Sequence, residues 1–589
     1  MLTSSRQQVT LRQIAAIALL LLLAGCGKSS SPNHNQSGGA VATGEAQADG
    51  QILSEDIRKH VWDVEHFGFV LEATVFPRLK SSLNDGSLSY WKAILAEDCN
   101  AAVPDNDVPL VPLASGKVSF GGTELNAEQL RNGHRDDFLN WLATLRKPFT
   151  ECKSSLGLVR LLPDNEDLTG AWTCVWRLRM AGRSLDGPVE TEVEIKVRLR
   201  ELHDDISEQK DWSDSITVLS HQHMTASQSF FAETTADSGL VSETRHDNWS
   251  SDQFVPNTGG VYVTDYDLDG DQDIFVDDHT DGNRLYRNTG NGIFEDATIA
   301  AGIDAGEETR AWALACWADL DNDGDDDLIV EDRLYDNLGN GKFADITSRT
   351  NLPLTPATSY AVADYDCDGR LDLYVCHSGA YRIGQHTRAR VKWIDDGLGI
   401  DNVLLRNLGN WQFEDVTEST GTGAGGSSCF TAIWLHANQD LRPDLFAINE
   451  FGVNSLLINS EDGQFNELDV DPIFGGFSMG AAAGDYNNDG RTDLYVANMY
   501  SKAGNRILAN VDQTRYPPEM FRKIEEGTRG SKLYAAQPDG NFRTVPARNM
   551  FAYVGWAYGP TFADFDNDGW LDLYATAGFK SEERGKPDG

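Results

Sequence analysis

Nine residues from Asp319 to Asp327, reading DLDNDGDDD, place carboxylates at positions 1, 3, 5 and 9 of one short loop through Asp319, Asp321, Asp323 and Asp327. Four such groups in a single turn repel one another unless a cation joins them. A hard ion such as Ca²⁺ takes six to eight oxygens at roughly 2.3–2.6 Å. Side chains at positions 1, 3 and 5, the carbonyl of Asp325 at position 7 and the acid at position 9 form a suitable donor set. Gly324 at position 6 permits the turn that folds the loop back on itself. The spacing recurs in Asp265, Asp267, Asp269, Gly270, Asp271 and Asp273, and in Asp364, Asp366, Asp368, Gly369, Arg370 and Asp372. It returns in Asp485, Asn487, Asp489, Gly490, Arg491 and Asp493, and again in Asp564, Asp566, Asp568, Gly569, Trp570 and Asp572. Solvated Asp-Gly turns have no need of an acid at the ninth position, and all of these loops keep one. The expected cofactor is Ca²⁺, about five ions.

The elements around the loops decide what kind of site this is. An EF-hand shares the DxDxDG opening but needs a bidentate Glu at position 12 and a helix on each side. Position 12 is held here by Val276, Val330, Val375, Val496 and Ala575, inside runs such as DIFV, DLIV and DLYV that favour strands. Hairpin signatures follow: NRLYRNTGNGIFEDAT at 283–298, DRLYDNLGNGKFADIT at 332–347, DNVLLRNLGNWQFEDVT at 401–417 and NSLLINSEDGQFNELD at 454–469. Strand, acid loop, strand and hairpin make a four-stranded unit that buries its faces only by stacking on copies of itself. A degenerate loop, His436, Asn438, Asp440, Leu441 and Asp444, lacks the first acid and the glycine, and is expected to keep the blade without a tight ion site.

These loops resemble the metal loops of FG-GAP (VCBS) repeats, the blades of integrin-alpha-like and cartilage acidic protein-like β-propellers. The resemblance covers roughly 229–589 and implies a mainly β fold: a calcium-binding β-propeller of six or seven blades over 226–589, preceded by a smaller α+β domain. The stretch SFFAETTADSGL, Ser229–Leu240, looks like the last strand of a blade yet precedes the first loop, and is expected to pair with the C-terminal blade and close the ring.

Residues 1–25 carry Arg6 and Arg12, the apolar run Ile14–Leu23, and then Leu23-Ala24-Gly25-Cys26. This resembles a bacterial lipoprotein signal peptide, which implies cleavage before Cys26 and lipidation of that residue. The run is shorter than the roughly 20 residues of a membrane-spanning helix. Gly27 stands after Cys26 in place of the Asp that commonly retains such proteins at an inner membrane. Export across the inner membrane and anchoring at the outer membrane or cell surface are expected. Residues 26–50, rich in Ser, Gly, Ala, Asn and Gln, read as a flexible tether. Residues 51–225 form the α+β domain, similar to nuclear-transport-factor-like or cystatin-like modules. Helices are expected over Asp56–Leu83 and Asn126–Leu145, followed by alternating strands. His221 and His223 would share one strand face, but they lack a third ligand at suitable spacing and read as ordinary strand histidines.

Forty-nine basic against 91 acidic residues give a net charge of -42, which disfavours nucleic acid and anionic membrane surfaces as partners. Contact with membrane is expected through the lipid anchor only. With Cys26 assigned to the anchor, seven cysteines remain, too few for a disulfide framework in a chain of this size, and there is no CxxC pair. No GxSxG or HExxH motif occurs; GTGAGG at 421–426 is followed by a strand-like run, not the helix a dinucleotide site needs. The function expected is a binding or adhesion scaffold at the cell envelope whose ligand is an envelope or extracellular protein or glycan. The alternative is an extracellular polysaccharide-active hydrolase or lyase. Insertions at roughly 380–400 and 505–545 are the candidate ligand surfaces. The second carries Arg506, Arg515, Tyr516, Pro517, Pro518, Phe521, Arg522 and Lys523.

Overall fold

The computed structural model describes residues 55–105, 108–113, 116–240, 259–278, 282–303, 314–353, 357–378, 400–424, 427–438, 440–468, 475–515, 518–546 and 551–577. The signal segment with Cys26, the tether, the insertion near 380–400, and Tyr516 and Pro517 lie outside the described residues.

In the N-terminal part, helices α1 (Glu55–Val70), α2 (Phe76–Asn84), α3 (Ser89–Ile94) and α4 (Arg135–Arg146) accompany an eight-stranded sheet. Its strands are β1 (Leu95–Pro104), β2 (Val111–Pro112), β3 (Val118–Glu124), β4 (Leu130–His134), β5 (Glu151–Pro163), β6 (Trp172–Arg183), β7 (Pro188–Leu199) and β8 (Ser213–Ala226). Along β6 every second residue, Trp172, Cys174, Trp176, Leu178 and Met180, is buried. Phe76 and Trp91 from the helices meet the Trp176 ring edge-on at 5.3 and 6.2 Å between centroids. The Asp56–Leu83 helix is interrupted by a wider turn at Leu71–Val75, just before Pro77, which has no N–H to give to the turn below.

The helix expected over Asn126–Leu145 is shorter. Asn126 and Gln129 close a capping box on one turn, with Glu128 N donating to Asn126 Oδ1 and Asn126 N to Gln129 Oε1, both at 3.0 Å. Leu130–His134 then pairs with β1, and the helix starts where Asp137 Oδ2 accepts from His134 N at 2.8 Å. Backbone pairing with an available strand outweighs helical periodicity here.

From Gly259 the chain builds five four-stranded antiparallel sheets in succession. They are β9–β12 (Gly259–Thr264, Asp273–Asp278, Arg284–Asn288, Phe294–Asp296) and β13–β16 (Ala315–Ala318, Asp327–Val330, Arg333–Asn337, Phe343–Asp345). Next come β17–β20 (Ser359–Ala363, Asp372–Cys376, Val403–Asn407, Phe413–Asp415) and β21–β24 (Ser428–Leu435, Asp444–Phe451, Ser455–Asn459, Phe465–Glu467). The fifth is β25–β28 (Ser478–Gly484, Asp493–Asn498, Lys532–Ala536, Phe542–Thr544), and β29 (Ala557–Ala563) pairs with β30 (Asp572–Ala577) in a two-stranded sheet. First strands of successive sheets lie side by side, the arrangement of propeller blades. The degenerate repeat keeps its full blade, β21–β24.

Ser229–Leu240 is irregular rather than a strand, and it touches both ends of the series. Phe294 N donates to Ser238 O at 2.8 Å, while the Phe231 ring lies 5.6 Å from Phe565 and 6.4 Å from Tyr574.

The fifth-blade insertion carries α5 (Lys502–Ala509) and α6 (Pro518–Glu526), and Arg506 of its basic cluster does not face a ligand surface. Arg506 is 2% exposed and is turned inward. Its Nη2 lies 2.8 Å from Glu65 Oε2, its Nη1 3.8 Å from Glu72 Oε2, and Nη1 also donates to Leu158 O at 3.2 Å. Phe521 is also buried. An unpaired guanidinium at such depth is prohibitively costly, and the two α1-region glutamates compensate it, clamping the N-terminal part to the fifth blade. Arg177 reinforces the seam, stacked 4.0 Å over the Tyr553 ring and 2.7 Å from Glu194.

Candidate metal centres

Each acid loop joins the first strand of a blade to the second, as in β13 to β14, so no helix flanks it. Its fold is already encoded in hydrogen bonds. The position-1 carboxylate accepts from the N–H groups at positions 5 and 6: Asp319 from Asp323 and Gly324 at 3.1 Å each, Asp485 from Asp489 and Gly490 at 2.9 and 2.8 Å. Asp265, Asp364 and Asp564 do the same. Position 5 then accepts from the N–H at position 7, in the pairs Asp269 and Asp271, Asp323 and Asp325, Asp368 and Arg370, Asp489 and Arg491, and Asp568 and Trp570, at 2.9–3.2 Å. At position 7 the side chains of Arg370 and Arg491 bond back to the position-5 carboxylates Asp368 and Asp489.

Two positions in every loop take left-handed backbone. Position 6 is glycine, with φ of 100° at Gly324. Position 4 is the other: Leu268, Asn322, Cys367, Asn488 and Asn567 all have φ between 55° and 69°. Asn at three of these sites follows from its tolerance of that region, which was the available signal.

The ninth position does more than offer a ligand. Asp327, 1% exposed, accepts at Oδ2 from Leu320 N and at Oδ1 from Asn337 N, both at 2.9 Å, so it ties the loop to the third strand of its blade. Asp273 and Asp372 make the same two bonds, and Asp493 bonds Ala536 N. Asp444 in the degenerate repeat keeps the pair, to Ala437 N and Asn459 N, both at 2.9 Å, although His436 has replaced the first acid. The clamp therefore persists where the ion ligands have been lost. In Asp572 only the bond from Phe565 N is present among the described residues.

An asparagine ends the third strand of the first four blades, and the sequence reading left it unassigned. Asn337 Nδ2 donates to Tyr266 O at 2.9 Å, Asn407 Nδ2 to Leu320 O at 2.7 Å and Asn459 Nδ2 to Tyr365 O at 2.8 Å, in each case the loop of the preceding blade. Asn322 Nδ2 likewise donates to Gly369 O at 2.9 Å. The loops are linked to one another along one rim. The repeated LYRN, LYDN, LLRN and LLIN endings were the available signal.

The donor sets suit a hard divalent cation. Carboxylate oxygens of Asp265, Asp267 and Asp269, of Asp319, Asp321 and Asp327, of Asp364, Asp366 and Asp372, and of Asp564, Asp566 and Asp572 lie within 4.8 Å of one another in each group. Buried oxygens without a hydrogen-bond partner are left in these loops among the described residues: Asp267 Oδ1, Asp321 Oδ1, Asp566 Oδ1 and, in the fourth loop, Asp493 Oδ2. A buried acceptor with no donor is costly, and a cation is the group that would satisfy it. Burial pushes Asp327 up to about 8 and Asp372 to about 7, with Asp321 and Asp493 at about 6. Neighbouring acids add to the effect at Asp321.

The loops are not electrically equal. Asp336 adds a further acid beside Asp321 in the second. In the third, Arg406 Nε lies 2.8 Å from Asp366 Oδ2, and Arg370 lies 3.1 Å from Asp368 Oδ2. In the fifth, Lys117 of the N-terminal part lies 2.9 Å from Asp566 Oδ2. His221 and His223, by contrast, stay in the β8 strand, where His223 Nδ1 is 2.6 Å from Thr191 Oγ1.

The family model described as FG-GAP-like repeat matches residues 256–330, 331–375, 437–496 and 526–575. No curated protein gives a significant match. Among solved structures the chain is similar to BBS1N in complex with ARL6DN, soaked with lead, at 11% identity over 55% of this chain and 76% of that one, with a TM-score of 0.29. It is also similar to the V. cholerae biofilm matrix protein Bap1, at 12% identity over 56% of this chain and 55% of that one, with a TM-score of 0.28. Four matched repeats, each lying on the same strand, acid loop, strand pattern, place the repeat region of this chain in the FG-GAP-like repeat family.

Proposed function

We propose that this chain is a calcium-stabilised binding and adhesion scaffold, exported and held at the cell envelope by a lipid on Cys26. The orphaned buried oxygens of the loops carry the reading, since they belong to side chains already in place for a divalent ion. Positions 1, 3, 5 and 9 would hold the ion together with the position-7 carbonyl. The ion neutralises the cluster and stiffens the rim to which neighbouring blades are tied.

A ring of seven positions fits the seam contacts best. Phe343 of the second blade touches Tyr266 of the first, and Phe465 of the fourth touches Tyr365 of the third. Phe231 touches Phe565 in the same way, and Gly239 backs onto Phe294 as Gly302 backs onto Phe343. Residues 229–240 thus hold the outer place of a module between the sixth and the first.

The ligand surface is the cavity of about 550 Å³ where the N-terminal sheet meets the fifth-blade insertion. Tyr500, Phe521, Phe551 and Tyr553 give it aromatic walls, and exposed Arg160 has no ion-pair partner among the described residues. Stacking faces beside a free cation suit an acidic glycan or an acidic protein segment. Full-length protein should retain a glycan or envelope protein in calcium, and Arg160→Ala should release it without lowering the melting temperature. Equal retention by this variant would contradict the assignment. Cys26→Ala should leave the protein in the soluble fraction of the producing cell; continued membrane association would contradict the anchor.

A further inference from the structure

Cys376 ends β18 in the third blade and Cys429 is the second residue of β21 in the fourth, and both are fully buried. Their backbones meet across the seam. Cys429 N donates to His377 O at 3.1 Å, and the Thr358 hydroxyl lies 3.2 Å from Cys376 O and 2.8 Å from Cys429 O. Both side chains belong to one apolar cluster with Tyr374. Cys429 Sγ donates to Thr431 O at 3.3 Å. The other repeat cysteines differ: Cys316 Sγ is directed to Trp317 O at 3.7 Å, and Cys367 is exposed in the third acid loop.

We propose that Cys376 and Cys429 close into a disulfide between blades when the chain folds in the presence of a disulfide oxidant, stapling the third blade to the fourth. One thiolate attacks a sulfur of the oxidant, whose S–S bond breaks and releases a thiolate. The second cysteine thiolate then attacks the mixed disulfide and releases the other half. Two protons and two electrons leave the pair, and the oxidant ends as two thiols. Burial holds the Cys376 thiol well above its ordinary range, so the bond forms while the blades assemble and only slowly once they have closed. The staple is independent of the ion reading, and failure of either leaves the other standing.

Full-length protein is unfolded, reduced, and refolded in calcium with oxidised and reduced glutathione, then alkylated and mapped by mass spectrometry. A Cys376–Cys429 linked peptide should dominate, should be absent from Cys376→Ser and Cys429→Ser, and should raise the melting temperature of wild type over its own reduced form. A second route that needs no refolding holds the folded reduced protein in the same redox buffer with denaturant below its midpoint, where the same linkage should accumulate. Recovery of both cysteines as alkylated thiols from either route, or equal linkage of other cysteine pairs, overturns the proposal.

Discussion

Asp327 and Asp321 sit in one loop but should fail differently. Asp327→Ala removes the acceptor of two N–H groups, Leu320 and Asn337, at a site 1% exposed. Each buried donor left unsatisfied costs about 1–3 kcal/mol, so the loss should total about 2–6 kcal/mol, with calcium or without it. Asp321 Oδ1 has no hydrogen-bond partner to lose, and its neighbours Asp323, Asp336 and Asp319 repel it. Asp321→Ala should therefore change stability by less than about 0.5 kcal/mol in chelator while removing the calcium-dependent part of the stability. Guanidinium unfolding of both variants, in excess chelator and in excess calcium, separates the clamp from the ligand. If Asp327→Ala costs nothing in chelator, or Asp321→Ala costs as much there as Asp327→Ala, the separation of roles is wrong.

Leu441 holds φ at 66° in the degenerate loop and is 82% exposed, so Leu441→Gly should relieve about 1–2 kcal/mol of left-handed strain. After the entropy of glycine is subtracted, a gain of about 0.5–1 kcal/mol should appear in denaturant midpoints, and a loss would show that the strain is absent. Arg506→Met leaves Glu65 and Glu72 without their partner and should cost about 3–5 kcal/mol. The N-terminal part should then unfold in a separate, earlier transition by calorimetry, and a single unshifted transition would contradict the clamp. Burial pushes Glu450 up to about 7, above its ordinary 4.5. The folded state holds that proton more tightly, so its contribution is present in full below about pH 4.5 and is lost as the pH rises through 7, about 3 kcal/mol in all. In calcium-saturated protein, Glu450→Gln should flatten stability between pH 5 and pH 8; an unchanged slope would place the titration elsewhere.

The repeat architecture was legible because the signals agree: acids at fixed spacing, an apolar position 12, and a hairpin signature ending in asparagine. What stayed hidden depends on a second residue distant in the chain. The carboxylate of Asp327 reads equally well as a ligand or as an acceptor for Leu320 and Asn337, and only the closed blade shows that it is bonded to both. Arg506 in a loop insertion reads as surface charge until Glu65, hundreds of residues earlier, is placed beside it. Leu130–His134 satisfied a helical period, but β1 offered it backbone partners. Position 4 of the acid loops showed its constraint only in three asparagines.

The most direct test of the ion cages is a count. Full-length protein stripped with chelator and equilibrated with Ca²⁺ should retain about five ions per chain by equilibrium dialysis. The second loop, with Asp336 beside it, should fill first, and the third, where Arg406 competes for Asp366, should fill last. Asp321→Ala should remove one ion and raise the dissociation constant of none of the others by more than a few-fold. Retention of no Ca²⁺, or a count unchanged by Asp321→Ala, would contradict the account.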